Sequence, residues 1–157
     1  MKINASYVAQ LLTAFQDSQK PYVSPSDFAN FNIELDDILA FHLEILADKN
    51  FIDSNDPQTY VADETVLLVP GKFSLGFRRA ISGKAHWDKT SNKAQLRLTA
   101  SGHDFAEYLS NQDVLRKVTR DLKNASISTL WSVTKKMGKA VVEKKAKEYL
   151  EDVDLIE

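Results

Sequence analysis

The sequence predicts an α+β domain: helices at both ends, a small antiparallel β region between them, and a helical extension at the end. Three observations carry this. Tyr7, Val8, Leu11, Leu12 and Phe15 recur at helical spacing, as do the apolar residues of 34–49. Between residues 73 and 99 the pattern changes to alternation. Phe73, Leu75 and Phe77 interleave with Ser74, Gly76 and Arg78, and Leu96 and Leu98 with Gln95, Arg97 and Thr99. From Ser101 the helical spacing returns and persists to residue 150.

Each element has its own signals. The first helix spans 4–17, with Asn4 as its N-cap. The stretch from Gln19 to Pro25 breaks it, and Ser26-Asp27 opens one or two helical turns through Phe28, Ala29 and Phe31. The next helix, 34–49, carries the stripe Leu35, Ile38, Leu39, His42, Ile45 and Leu46. Asn50 suits a left-handed helix end, and Phe51-Ile52 starts a short strand that Asn55-Asp56-Pro57 stops. Residues 64–69 read as a buried strand ended by Pro70-Gly71, and 73–78 as a half-buried one. After the strand at Leu96–Leu98, Thr99 or Ser101 caps a helix bearing Phe105, Tyr108 and Leu109. A further helix covers 112–123, and Asn124-Ala125-Ser126 interrupts it. A long basic helix covers 127–150, its apolar side formed by Ile127, Leu130, Trp131, Met137, Val141, Val142, Tyr149 and Leu150.

Composition narrows the function. With 157 residues and 43% hydrophobic residues, one domain with a real core is expected. Without cysteine there is no disulfide framework, thiolate metal site or cysteine nucleophile. Asn4, Ser6, Gln10 and Thr13 interrupt any signal-peptide pattern, and no apolar run reaches the ~20 residues of a membrane span. A cytoplasmic protein that does not engage the membrane is expected. The net charge of −2 conceals a partition. Residues 1–70 hold three basic and eleven acidic residues, residues 71–111 seven and three, and residues 112–149 ten and four. The last eight residues carry four acids and no base. Such asymmetry points to a charged partner surface.

Two phrases sharpen the fold. One runs from Ile38 to Ile52 through His42, Leu43 and Leu46. The other is Leu98-Thr99-Ala100-Ser101-Gly102-His103-Asp104-Phe105. Together they resemble a winged helix-turn-helix domain, and they are similar to a family of small bacterial and phage proteins classified as a domain of unknown function. The resemblance covers roughly residues 4–123. It implies a third helix at 34–49 and a β wing within a domain of residues 1–111; the chain departs from the pattern in enlarging that wing, 51–99, and in adding a C-terminal helical extension, 112–157. It also implies a mobile-element or host–phage setting.

A winged helix commonly lays its third helix in the DNA major groove. Here that helix carries Glu34, Asp36, Asp37, Glu44 and Asp48 against Lys49 alone, which opposes a phosphate backbone. The wing has the opposite character. Lys72, Arg78, Arg79, Lys84, Lys89, Lys93 and Arg97 face only Asp88, with Phe77, His86 and Trp87 among them. Cations interleaved with aromatics suit a nucleic-acid backbone and exposed bases. Trp87 joins the seven cations as a candidate contact. The expected function is therefore a non-catalytic, nucleic-acid-associated regulator that binds DNA or RNA through its wing and terminal helix. The alternative is a protein-interaction adaptor or oligomerisation module. Its candidate residues are Glu34, Asp37 and Glu44 on the third helix and Trp131, Lys135 and Lys139 on the terminal helix, which also suits a homodimer. His42 lies on the apolar stripe as a hydrogen-bonded core residue, and His103-Asp104 sits at a helix start, where the histidine packs or caps. No metal-ligand spacing, phosphate loop or nucleophile elbow occurs, so no catalytic residue, metal or cofactor is assigned.

Overall fold

Asn4 opens the first helix: its side chain accepts the Tyr7 N–H at 3.1 Å. Helix α1 (Ala5–Asp17) buries Val8, Leu11, Leu12 and Phe15 on one face. The computed structural model describes residues 1–54, 77–79, 85–87 and 95–154, with 77–79 and 85–87 described by their backbone. After α1 the chain is extended at Val23, which forms an isolated bridge with Leu96 through N–H···O bonds of 2.7 and 2.8 Å. A 3₁₀ segment, Pro25–Phe31, follows. The Asp27 carboxylate accepts from the Ser24 N–H at 2.9 Å and from the Lys20 ammonium at 3.0 Å. Asn32, left-handed at φ 59°, ends the segment.

Helix α2 (Asp37–Asp48) starts three residues later than the periodicity indicates. The Asp36 carboxylate accepts the Leu39 N–H at 2.9 Å and fixes the start there, so Glu34 lies in the preceding turn. The phase also differs. Leu39, Ala40, His42, Leu43 and Leu46 are buried, whereas Leu35 and Ile38 are 37% and 44% exposed. The helix ends as expected. Asn50 has φ 59°, with its N–H on Ala47 O at 2.9 Å and the Phe51 N–H on Leu46 O at 2.8 Å. This pair of bonds is a Schellman cap, with asparagine where glycine is commoner.

Strand β1 (Ile52–Ser54) pairs antiparallel with β4 (Leu96–Leu98), Ile52 opposite Leu98 and Ser54 opposite Leu96. Between them, β2 (Phe77–Arg79) and β3 (Ala85–Trp87) pair antiparallel, Phe77 opposite Trp87 and Arg78 opposite His86. The strand expected at 64–69 lies outside the described residues.

Thr99 decides how the chain re-enters a helix. Its hydroxyl oxygen accepts the Gly102 N–H at 3.1 Å and its O–H donates to the Asn50 carbonyl, while its N–H donates to Phe51 O at 3.0 Å. The cap is therefore Thr99, not Ser101, and it also holds the end of α2. Helix α3 (Ala100–Ser110) needs glycine at its third position: a Cβ on Gly102 would lie 2.0 Å from the Phe51 carbonyl oxygen. Asn111 closes α3 and caps α4 (Gln112–Asp121), accepting the Asp113 and Val114 N–H groups at 3.0 and 3.1 Å.

Helix α5 (Ile127–Asp154) opens with the Ser126 hydroxyl accepting the Thr129 N–H at 3.2 Å. Val114, Val118, Ile127 and Leu130 join the same core as α1, α2 and α3, so packing continues across position 111. An aromatic cluster locks α5 to the rest. The Trp131 ring centroid lies 5.3 Å from Phe51, 5.2 Å from Phe105 and 6.3 Å from Tyr108. Two turns on, Gly138 passes against Tyr108 so closely that a Cβ would meet the ring at 2.2 Å. Beyond Val141 the helix leaves the core, and every residue from 142 to 153 is exposed. Val142, Tyr149 and Leu150, on the apolar side that the spacing indicates, are on that projecting part. Helical spacing placed them on an apolar face but could not show that the domain ends before it reaches them.

Candidate nucleic-acid interface

Helix α2 presents a mixed outward face. Asp37, Ile38 and Asp48 are exposed, and Phe41, Glu44 and Ile45 are half-buried, at spacings that keep them on one side. Exposed Glu34 and Leu35 extend it at the N-terminal end, and Lys49 stands at the other. The acids gathered here repel phosphate, and the apolar residues between them offer nothing to a sugar–phosphate backbone.

The expected wing divides into what the structure describes and what it does not. Lys72, Lys84, Lys89 and Lys93 lie outside the described residues. Arg78 and Arg79 stand on β2 and Trp87 on β3, in the register given above, so the hairpin brings the two arginines opposite His86 and Ala85. Arg97 lies at the stem. Its guanidinium donates to Asp53 Oδ2 on the neighbouring strand at 3.4 Å and to the Leu98 carbonyl at 3.4 Å. Both partners of this ion pair are about half exposed, so it contributes at most about 1 kcal/mol and leaves the guanidinium within reach of a ligand.

The other candidates fall on α5. Trp131 is engaged within the domain by the aromatic cluster, so its ring faces Phe51, Phe105 and Tyr108. Lys135 places its ammonium 5.5 Å from the Trp131 ring centroid, a cation–π contact on the outer side of that cluster. Lys139 is exposed. The sequence reading named no cation on α4, yet Arg116, Lys117 and Arg120 are exposed there. Their signal was present in the spacing of Val114 and Val118, which turns the intervening cations outward.

His42 and Tyr7 meet in the interior with ring centroids 4.5 Å apart. His42 donates from Nδ1 to the Ile38 carbonyl at 2.8 Å and accepts the Asn4 N–H on Nε2 at 3.1 Å, which fixes the neutral tautomer. Burial pushes the His42 imidazole below its ordinary pKa, against the backbone hydrogen bond and nearby Asp36, which raise it. Burial, with Asp36 nearby, pushes the Tyr7 phenol up to about 12. Both ring nitrogens of His42 are occupied by the backbone, and the histidine ties α1 to α2. His103 neither packs nor caps, contrary to the reading of the helix start: it is exposed, and Thr99 makes the cap. Among the described residues no three His, Asp or Glu side chains gather to hold a metal ion, and no helix is long and apolar enough to cross a membrane. A groove of about 500 Å³ between α1 and α4 is lined by uncharged residues, Phe31 and Leu115 among them, and lacks the cations that phosphate requires.

Compared with known proteins, the chain matches no family model, no curated protein and no solved structure.

Proposed function

We propose that the chain is a non-catalytic winged-helix protein, associated with nucleic acid as a regulator, whose contact comes from its basic hairpin rather than its third helix. The order of α1, the 3₁₀ segment, α2, a paired stem and a capped α3 supports the winged-helix reading. So does the Asn50–Thr99 joint, which links the end of α2 to the start of α3. The observation that carries the functional reading is the charge partition. The face of α2 that would enter a groove carries Asp37, Glu44 and Asp48, while Arg78, Arg79 and Arg97 stand on the hairpin and its stem. Phosphate neutralisation by such residues is sequence-independent and falls steeply with salt. A mobile-element or host–phage setting follows from the family resemblance.

The test is titration of fluorescent DNA and RNA oligonucleotides at ~50 mM and ~200 mM salt, where electrostatic binding differs most. The expected result is binding that weakens with salt and is abolished by the combined substitution Arg78→Glu, Arg79→Glu and Lys84→Glu. Failure of the unmodified protein to bind either nucleic acid at low salt refutes the proposal.

A second reading is favoured by a specific observation: exposed Leu35 and Ile38 sit among acids on α2. That combination fits a basic, partly apolar protein segment better than phosphate. As an adaptor, the protein would lose its partner on Ile38→Asp and keep it in the hairpin triple variant.

A further inference from the structure

The distal part of α5 is a helix without a domain beneath it. From residue 142 to residue 153 every side chain is exposed, including Val142 at 54%, Tyr149 at 69%, Leu150 at 60% and Val153 at 39%. An isolated helical stretch of this length is marginal in water. Its apolar residues are not scattered. Val142, Ala146, Tyr149 and Val153 recur at steps of four, three and four, the spacing of a coiled-coil seam, and Leu150 flanks it. At 100° per residue this seam lies roughly 100° around the axis from the face that carries Leu130, Thr134 and Val141 into the core. A second helix can cover it without disturbing the domain.

We propose that this seam pairs with the same seam of a second copy of the chain, the two helices running antiparallel. Charge selects both the partner and the direction. Lys139 occupies the seam position just before Val142, so a parallel pair would set it against the partner's Lys139. The antiparallel pair centres between Lys147 and Glu148. It sets Val142 against the partner's Val153 and Ala146 against the partner's Tyr149. It also carries Lys139 towards the acidic end of the other helix, where Glu151, Asp152 and Asp154 lie. On the flank, Lys145 meets the partner's Asp152, and the two-fold axis repeats that attraction. This dimer does not depend on nucleic-acid binding.

Sedimentation of the full chain over a wide concentration range tests it. The expected result is a reversible monomer–dimer equilibrium. Val142→Asp should raise the dimer dissociation constant by roughly tenfold or more, the equivalent of one lost apolar anchor. Lys145→Asp and Asp152→Lys should each weaken the dimer, and the two together should restore it. These residues are exposed, so circular dichroism should show the domain folded in every variant. Direction is read by cross-linking, which the absence of native cysteine makes clean. Ala146→Cys mixed with Tyr149→Cys should give the mixed disulfide in preference to either self-disulfide. A monomer at every concentration overturns the proposal, as does preferred self-linking of Ala146→Cys. A chain that stays monomeric and whose distal helix is protected from exchange only on adding a DNA duplex also overturns it, assigning the seam to nucleic acid.

Discussion

Gly138→Ala should destabilise the protein, although helix propensity alone says the opposite. In a helix interior, alanine is more favourable than glycine by about 1 kcal/mol. Gly138 lies well inside α5, so a reading confined to that helix expects stabilisation. The packing reverses the sign. A Cβ there would lie 2.2 Å from Tyr108 Cγ, 2.3 Å from Cδ1 and 2.7 Å from Cβ. These atoms are the root of the side chain, so a swing of the ring tip cannot relieve the clash. Either the α3–α5 crossing widens or Tyr108 leaves its rotamer, and over-packing of this kind costs about 1–3 kcal/mol. Offset by the propensity gain, the net loss is up to about 2 kcal/mol. For a chain of this size each kcal/mol lowers Tm by roughly 2–4 °C. Urea denaturation of the wild type, Gly138→Ala, Tyr108→Ala and the double variant forms a complete cycle. Gly138→Ala should cost less in the Tyr108→Ala background than in the wild type, because the two ring-carbon contacts are gone and only the Cβ contact at 2.7 Å remains. A Gly138→Ala protein more stable than wild type by about 1 kcal/mol, with no coupling in the cycle, would refute this account of the crossing.

Three further outcomes follow from the fold. Thr99→Ala removes the α3 cap and the tie to Asn50, and should cost about 1–2 kcal/mol in a denaturation midpoint, more than Thr99→Ser, which keeps the hydroxyl. Gly102→Ala should be worse than Gly138→Ala, because its Cβ would strike the Phe51 backbone, and it should show as loss of soluble, cooperatively unfolding protein. Because burial lowers the His42 pKa in the folded state, the unfolded chain binds the proton more tightly. Stability should therefore be full above the unfolded value near 6.5 and fall as pH drops from there through the lower folded value. Urea midpoints between pH 5 and 7 should decline for the wild type, and that decline should flatten in His42→Gln.

What could be read from the sequence was mainly local. The Thr99–Gly102 step and the left-handed Asn50 are chemical requirements of a few adjacent residues, and both were readable. Their meeting was not, since the Thr99 hydroxyl reaches a carbonyl 49 residues away. Helical spacing identifies Leu39, His42 and Leu46 on the buried face of α2 but also extends the stripe to Leu35 and Ile38, whereas the Asp36 cap and the core leave those two exposed and add Ala40 and Leu43. Val23 gave no periodic signal, because one residue pairing with Leu96 is too short to show alternation. Periodicity likewise could not reveal that α5 outruns its domain, as the apolar spacing continues past Val141 where the packing stops. The candidate site was legible as charge but not as geometry: sequence separated the acidic α2 from the basic wing, and all four lysines of the expected wing lie outside the described residues.

The β1–β4 stem has an evolutionary consequence. The chain departs at Ser54 and returns at Leu96 on directly opposed ladder positions, fastened further by the Asn50–Thr99 joint and the Val23 bridge. The ends of the intervening segment are thus held together by residues that belong to the core. Doubling the length of such a segment adds only about 0.6 kcal/mol of closure entropy. Changes in the length of the segment between 55 and 94 that arise in evolution therefore carry a small closure cost, while the stem, the joint and the bridge keep α2 and α3 in place.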